Sequence, residues 1–246
     1  MTTLTVDKLS VKFGGVVAVS DVSFTLTSGV TGIIGPNGAG KSTLFNAITG
    51  LAAGARKSGY IAIDDVDISR RRTEAVARLG VRRTFQNIKL FREMTVLENV
   101  AVGAINTAAG PATGRHARAA AAEALDDLDL GHLAHRFPGE LTYANQRQVE
   151  IARCLASSPK VLLLDEPAAG MHADDRDALA QLIERLGQRL LVAFVEHDVA
   201  LVSRVCSRLI VFDFGKQIAS GTPSEIRANP AVIKACLLYT SPSPRD

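Results

Sequence analysis

Apolar and polar residues alternate along the first part of the chain. Residues 4–13 (LTVDKLSVKF) and 22–26 (VSFTL) place apolar side chains at nearly every second position, and residues 59–69 (GYIAIDDVDIS) return to this alternation. Such a pattern is typical of strands with one buried face, because successive side chains of a strand point to opposite sides. We therefore predict half-buried antiparallel strands at the start of the chain.

Continuous apolar runs indicate strands of a second kind. Residues 30–35 (VTGIIG), 161–167 (VLLLDEP) and 190–198 (LLVAFVEHD) each begin with a short apolar run, which is typical of a strand buried on both faces. Helical patterns follow the first two runs, at residues 43–50 and 174–187, and Gly50 is a predicted C-terminal stop. Strands that alternate with helices favour a mostly parallel sheet.

The pattern changes between residues 87 and 150. Alanine is abundant in residues 104–130 (AINTAAGPATGRHARAAAAEALDDLDL), and strand signals vanish. We predict a helical subdomain, interrupted by Gly and Pro, that is inserted at about residues 87–150 into a domain spanning residues 1–235.

The last residues, 236–246 (CLLYTSPSPRD), form a separate segment. They match the translation of a transposase-type sequencing adapter, so we predict a non-native tail that begins at Cys236. The alternative is a genuine tail rich in Pro and Ser.

Composition and charge narrow the function classes. Of the 246 residues, 47% are apolar and 22% are charged, which is ordinary for a globular protein with a substantial core. The net charge of +3 is too small to indicate nucleic-acid binding, so no nucleic-acid partner is expected. The locally basic residues 69–83 (SRRRTEAVARLGVRR) are interpreted as a solvated helix face.

Targeting signals and cysteines add two expectations. No apolar run approaches the roughly 18 residues of a membrane span, and the start of the chain lacks a signal-peptide pattern, so we expect a cytosolic protein. The three cysteines show neither metal-ligand spacing nor a disulfide framework.

The clearest chemical motif is GPNGAGKS at residues 35–42, which matches G-x-x-x-x-G-K-[ST]. It lies between a predicted strand and a predicted helix, where main-chain N–H groups and a helix N-terminus can bind a polyphosphate. Lys41 is expected to reach the β- and γ-phosphates, and Ser42 to offer its hydroxyl to Mg²⁺. The predicted nucleotide-binding residues of this loop are Gly35, Pro36, Asn37, Gly38, Ala39, Gly40, Lys41, Ser42 and Thr43.

Two acidic residues end the buried strand of VLLLDEP, at the edge where parallel sheets gather their ligand sites. We expect Asp165 to hold Mg²⁺, and Glu166 to polarise an attacking water as general base. His197, at the end of the next strand, is expected to stabilise charge on the γ-phosphate. Gln86 is expected to contact the metal or the water.

Phe13 precedes two glycines in the first predicted hairpin. Two interpretations are open for its aromatic ring. It either stacks on a nucleotide base or packs into the core.

In this order, these pieces resemble the nucleotide-binding subunits of ABC transporters. The pieces are Phe13, the P-loop at 35–42, Gln86, a signature at 141–146, a Walker B strand at 161–166 and His197. Phrases such as RTFQNIKLF, LLLDEPAAGM, VEHDVALV and NPAVIKA are similar to the branched-chain amino acid importer ATPases. The resemblance implies an α/β P-loop NTPase fold with a mostly parallel core sheet, an antiparallel β subdomain and a helical insertion.

The signature in this chain reads LTYANQ, whereas the family has LSGGQ, often LSYGQ in this subgroup. The resemblance implies that Thr142, Tyr143, Ala144, Asn145 and Gln146 face the γ-phosphate held by a partner chain. Alanine replaces the family's glycine, and its methyl group is expected to obstruct the phosphate or restrict the backbone. We expect this to slow one of two composite sites, at a cost of about 3 kcal/mol if one donor is lost.

The resemblance also implies the cofactors and partners. They are ATP and Mg²⁺, a second ABC ATPase that is a paralogue, two integral membrane permeases and, indirectly, a periplasmic substrate-binding protein. The expected location is the cytoplasmic face of the inner membrane. Two alternatives stay open: another cargo, such as urea, amides or an envelope lipid, and a non-transport ABC ATPase that acts on nucleic acid or the ribosome.

Overall fold

The structure is a computed structural model that describes residues 1–107, 110–111 and 113–237. Most of the predicted tail at 236–246 therefore lies outside the described residues. The strands are β1 (Leu4–Phe13), β2 (Val16–Leu26), β3 (Gly29–Ile34), β4 (Arg56–Ile63), β5 (Val66–Asp67), β6 (Val81–Arg83), β7 (Asn106–Thr107), β8 (Gly110–Pro111), β9 (Val161–Asp165), β10 (Leu191–Val195), β11 (Arg208–Asp213) and β12 (Lys216–Gly221).

Helices connect these strands. They are α1 (Lys41–Ile48), α2 (Thr73–Arg78), α3 (Val96–Ala104), α4 (Gly114–Asp126), α5 (Tyr143–Leu155), α6 (Ala173–Gly187), α7 (Val199–Val205), α8 (Pro223–Ala228) and α9 (Pro230–Val232). Short 3₁₀ turns lie at Gly131–Leu133 and Pro138–Glu140, and a π-turn covers Ile233–Leu237.

The N-terminal strands form the antiparallel sheet that their alternation predicts. Its order is β2-β1-β4-β5, and β1 pairs with both β2 and β4. Leu4, Val6, Leu9 and Val11 are buried, so the apolar face of β1 packs into the core while the opposite face meets solvent.

The second sheet carries the long apolar runs. Its order within the described residues is β12-β11-β3-β10-β9-β6, and every pair except β11–β12 is parallel. The predicted mostly parallel sheet is therefore confirmed. Since β3, β10, β9 and β6 are neighbours and parallel, the residues that follow them emerge at one edge of the sheet.

Each buried strand of this sheet contributes side chains to two separate cores. In β9, Leu162 and Leu164 pack into a core with the helices of the insertion, α6 and α7. Val161 and Leu163 point the other way, into a core shared with α1 and the antiparallel sheet. This arrangement explains why the strand is apolar at every position, because both of its faces are covered.

The helical insertion contains α3, α4 and α5, which pack against one another. Thr95 and Glu98 form a reciprocal capping box at the start of α3, and the Thr142 hydroxyl caps α5. The structure differs from expectation in two places. A short β7–β8 pair lies within the insertion, and α5 continues five residues beyond the predicted boundary at residue 150, to Leu155.

The basic segment at residues 69–83 is not one solvated helix face. Only residues 73–78 form a helix, α2, and the last residues belong to β6. The Arg83 side chain is 6% exposed and pairs with Asp165, at the end of the neighbouring strand β9. The interpretation as a solvated face is therefore wrong for Arg83.

Two further observations concern the described residues. No helix among them is both long enough and apolar enough to cross a membrane. Cys154 and Cys206 are buried free thiols, and burial raises the pKa of Cys154 to about 12 and that of Cys206 well above its ordinary value.

Candidate active site

The loop between β3 and α1 requires glycine at its two closest contacts with the rest of the fold. Gly35 has φ 151° and Gly40 has φ 99°, a region that other residues rarely adopt. A Cβ on Gly35 would lie 2.1 Å from the Phe212 carbonyl oxygen, and one on Gly40 would lie 2.4 Å from that of Ala18. The loop is therefore wedged between β2 and β11 and leads directly into the N-terminus of α1.

Lys41 begins α1 and is only 5% exposed. Its Nζ donates to the main-chain carbonyls of Gly35 at 2.7 Å and Pro36 at 2.8 Å. The ammonium group thus lies over the loop at the positive end of the helix dipole. Both features favour an anion at this place.

The loop lines a cavity of about 530 Å³. The lining residues are Ala18, Asn37, Gly38, Ala39, Gly40, Lys41, Ser42, Thr43, Gln86, Glu166 and His197. The structure thus brings the predicted loop together with the predicted glutamine, glutamate and histidine. Ala18 was not predicted, because nothing in its sequence context distinguishes it from other residues of a strand.

Glu166 lies at the centre of the polar side of this cavity. Its Oε2 accepts a hydrogen bond from Gln86 Nε2 at 2.7 Å, and its Oε1 lies 2.7 Å from His197 Nε2. The backbone has φ 48°, and its N–H donates to the Val195 carbonyl at 2.9 Å. Such a φ is uncommon for a residue with a side chain and is often found at functional sites.

Asp165 is placed differently from its neighbour. Its side chain is 6% exposed, and its Oδ2 accepts from Arg83 at 2.6 Å. The same guanidinium donates to Asn46 Oδ1 of α1 at 2.6 Å and lies 5.5 Å from the ring centroids of Phe45 and Phe85. Asp165 is therefore tied to α1 through Arg83, and it is not among the residues that line the cavity.

A second buried carboxylate supports the histidine. Glu196 is 4% exposed, and its two oxygens accept main-chain N–H bonds from Ala168 at 2.8 Å and His197 at 3.0 Å. It joins the end of β10 to the segment after Glu166. His197 and Glu166 are thereby held at a fixed separation.

Phe13 is not part of the cavity lining. It ends β1, pairs with Val16 and is 38% exposed. Neither core cluster contains it, so the core-packing interpretation is wrong. Stacking on a nucleotide base stays a prediction.

The signature residues begin α5. The Thr142 hydroxyl oxygen accepts from the Asn145 N–H at 3.2 Å, and Tyr143 is 43% exposed. Gln146 Nε2 donates to the carbonyls of Pro138 at 3.0 Å and Leu141 at 3.3 Å. The amide nitrogen of Gln146 therefore binds its own chain, and a contact of Gln146 with a phosphate of another chain stays a prediction.

The Ala144 methyl group contacts this chain's own core. It lies in the first turn of α5 and has no positive φ, so its backbone conformation does not require glycine. The side chain is partly buried and packs against the core beneath the helix. The methyl group therefore contacts this chain's own core, which argues against both expected effects, and each stays a prediction that Ala144→Gly tests.

Sequence reasoning missed four buried charged side chains around the site: Arg83, Arg147, Glu150 and Glu196. Each belongs to a stretch where charged residues normally face solvent, so periodicity alone carried no signal.

Comparison with known proteins agrees with this geometry. The family model described as "ABC transporter" matches residues 19–169. The high-affinity branched-chain amino acid transport ATP-binding protein BraF of Pseudomonas aeruginosa is 40% identical over 249 residues, covering 95% of this chain and 97% of that protein. The chain belongs to the ABC transporter family of ATP-binding proteins. It is an ATP-hydrolysing subunit with the P-loop NTPase fold.

Further matches include two transport ATP-binding proteins, one solved structure and a second family model. LivG of Escherichia coli, also a branched-chain amino acid transport ATP-binding protein, is 38% identical over 95% of this chain and 97% of its own. The lipopolysaccharide export protein LptB of Escherichia coli is 36% identical over 92% and 93%. The crystal structure of MJ1267, an ATP-binding cassette of an ABC transporter in its ADP conformation, superposes with a TM-score of 0.86 at 30% identity, covering 96% and 99%. A second family model, of branched-chain amino acid ATP-binding cassette transporters, matches residues 216–237.

The wedged loop of the ABC ATPase generates a first prediction. Gly40→Ala forces a methyl group to within 2.4 Å of the Ala18 carbonyl, so the loop must shift. We expect ATP affinity to fall about tenfold or more, measured by equilibrium titration, because one misplaced donor costs on the order of 1–3 kcal/mol. Gly139→Ala is the matched control, since its Cβ meets open space. Unchanged affinity in Gly40→Ala would contradict the assigned loop geometry.

The position of Ala144 generates a second prediction. Ala144→Gly removes a methyl group that packs inward, so ATP turnover of the assembled transporter should not rise. The free energy of unfolding should fall by about 0.5–1 kcal/mol, the usual cost of glycine in a helix. Ala120→Gly in α4, which packs against the same core, is the control for this loss. A clear increase in turnover would show that the methyl group obstructs the partner's site.

Proposed function

We propose that this ABC ATPase drives an importer of branched-chain amino acids. The observation that carries the proposal is the match of residues 216–237 to a model of branched-chain amino acid transporters, together with 40% identity to BraF. The matched segment comprises β12, α8, α9 and the final turn. Its Ile226 and Val232 are buried in the core of the insertion side, so the segment is an integral part of the fold.

In this proposal the loop at residues 35–43 binds the phosphates of ATP. The buried ammonium group of Lys41 exchanges the two loop carbonyls for oxygens of the β- and γ-phosphates. This exchange is favourable because a charge-assisted hydrogen bond to an anion is stronger than one to a neutral carbonyl. The Ser42 hydroxyl and the main-chain N–H groups of Gly38 to Thr43 complete the cradle.

Mg²⁺ fits the oxygen donors that lie beside this cradle. Ser42 and Gln86, which line the cavity, would offer a hydroxyl and a side-chain carbonyl, and Asp165, at the strand end before Glu166, would offer a carboxylate oxygen. Hard oxygen ligands of this kind, few in number and completed by phosphate and water, are what Mg²⁺ prefers. When bound, the ion neutralises charge on the phosphates.

Glu166 acts as the general base. Its carboxylate faces the cavity, and each of its oxygens has one contact, to Gln86 or His197. A carboxylate oxygen accepts two hydrogen bonds, so a water can still bind while both contacts persist. Glu166 then orients and polarises this water for in-line attack on the γ-phosphate.

His197 and Gln86 act on either side of the general base. His197 stabilises charge on the γ-phosphate, and the hydrogen bond to Glu166 holds its ring toward the cavity. Gln86 links the state of this site to the helical insertion, because it lies between β6 and α3. Phe13, at the tip of the first hairpin, stacks on the adenine.

The assembly follows from the family resemblance. Two ABC ATPase subunits, this chain and a paralogue, close head to tail around two ATP molecules, and the start of α5, where Thr142 and Tyr143 are exposed, contacts the partner's γ-phosphate. The pair binds two integral membrane permeases at the cytoplasmic face of the inner membrane and serves a periplasmic substrate-binding protein. Hydrolysis removes the γ-phosphate contacts, and the pair opens.

A third prediction tests the general base. Glu166→Gln keeps the shape and removes the proton acceptor, so hydrolysis should fall about 10²- to 10⁴-fold, the usual range for general base catalysis. ATP binding should persist, and gel filtration should show a trapped dimer with ATP. Glu184→Gln on α6, with 42% exposure, is the control. Hydrolysis at the normal rate in Glu166→Gln would show that another group is the base.

A fourth prediction tests the cargo. Proteoliposomes with this subunit, its paralogue, the permeases and the binding protein should take up labelled leucine, isoleucine or valine when ATP is enclosed. Urea and simple amides serve as competing cargoes. The 36% identity to LptB supports lipid export as the second candidate. ATP-dependent extraction of a labelled envelope lipid, without amino-acid uptake, would favour that candidate and overturn the first.

A further inference from the structure

The helix α5 holds the segment that carries Gln86. Arg147 is fully buried at 0% exposure, and its guanidinium donates to two successive main-chain carbonyls, Phe85 at 2.6 Å and Gln86 at 2.7 Å. Arg153, two turns further along α5, donates to the Lys89 carbonyl at 2.5 Å. One helix therefore binds three carbonyls of residues 85–89.

A buried ion pair fixes this guanidinium. Glu150 is also 0% exposed, and its Oε2 accepts from Arg147 at 2.7 Å while its Oε1 accepts the Phe85 N–H at 3.4 Å. Burial raises the pKa of the Glu150 carboxyl, although Arg147 and Arg153 act in the opposite direction. Tyr143, in the first turn of α5, accepts a further bond from Arg147 through its hydroxyl at 3.2 Å.

The free-energy cost of burying this ion pair indicates that it has a role other than stabilising the fold. Burying an arginine and a glutamate is expensive, and replacement of such a pair by apolar residues is often neutral or stabilising. Arg147 Nε is buried without a hydrogen-bond partner, which adds to the cost. What apolar residues cannot supply is a planar fork that binds two adjacent carbonyls at once.

The Phe85 and Gln86 carbonyls lie next to the Gln86 side chain, which contacts Glu166, the proposed general base. Gln86 is exposed, so packing contributes little to its position, and its Nε2 donates to Glu166 at 2.7 Å. Holding the Gln86 carbonyl holds the backbone from which this side chain reaches Glu166. Arg147 thereby acts on Glu166 through Gln86 without lining the cavity itself.

From this chain of contacts we infer that Arg147 is a positioning residue for hydrolysis, which sets Gln86 against Glu166. The inference rests on the proposed roles of Gln86 and Glu166. It also means that the helix whose first turn faces the partner's site is joined to the general base of this chain's own site. A movement of α5 is passed to Gln86 through the Arg147 fork.

The test is a double-mutant cycle on the assembled transporter. Arg147→Met alone would leave the buried Glu150 charge unpaired and endanger folding, so it is combined with Glu150→Gln to keep the site neutral. This pair is measured in the wild-type and in the Gln86→Ala background. Arg118→Gln, which removes an arginine with 67% exposure from the same insertion, is the control. Arg147→Lys, with Glu150 retained, separates charge from the geometry of the fork.

We expect the paired substitution to lower kcat about tenfold in the wild-type background, since a misplaced group of this kind costs one to two orders of magnitude. KM for ATP should not change. In the Gln86→Ala background the same substitution should cause no further loss, because its effect passes through the side chain that is already absent. Arg147→Lys should lower kcat as well, and Arg118→Gln should not.

Two results would overturn the inference. An equal loss of kcat in both backgrounds would show that Arg147 acts through stability alone. A normal kcat in Gln86→Ala would remove the role of Gln86 and this inference with it. The general-base proposal stands apart from both, because Glu166→Gln tests it separately.

Discussion

One carboxylate connects three strand ends at this site. Glu166 follows β9, and its two oxygens contact Gln86, beyond β6, and His197, beyond β10, each at 2.7 Å. The contacts join three separate strand ends across the cavity that the phosphate-binding loop lines. A change in the position of the Glu166 carboxylate would therefore alter its contacts with both neighbours.

The parallel sheet makes this convergence possible. The strands β3, β10, β9 and β6 are adjacent, so the P-loop, His197, Glu166 and Gln86 all follow the same edge. Two cores, one on each face, hold the strands in register. Buried polar groups then hold the individual site residues. Arg83 joins Asp165 to α1, and Glu196 joins His197 to the segment after Glu166. Arg147 joins Gln86 to α5.

Sequence patterns predict the strands and the candidate site residues, but they do not predict the buried contacts that hold those residues in place. The apolar runs before Gly35 and through Asp165 indicate buried strands, and GPNGAGKS has the spacing typical of a phosphate-binding loop. Arg83 and Arg147 could not be predicted, because the sequence of a buried arginine in a charged stretch does not differ from that of an exposed one. The direction of the Ala144 methyl group depends on the phase of α5 against its core, which the signature motif does not encode.

The most direct measurement is a structure of the assembled ATPase pair with ADP and vanadate, which mimics the transferred phosphoryl group. We expect Lys41 Nζ to leave the Gly35 and Pro36 carbonyls for the phosphate oxygens. We also expect Glu166 to lie within hydrogen-bond distance of the apical oxygen on vanadium. If the nucleotide binds with Glu166 directed away from vanadium and Lys41 still on the loop carbonyls, the roles proposed for Glu166 and Lys41 are wrong.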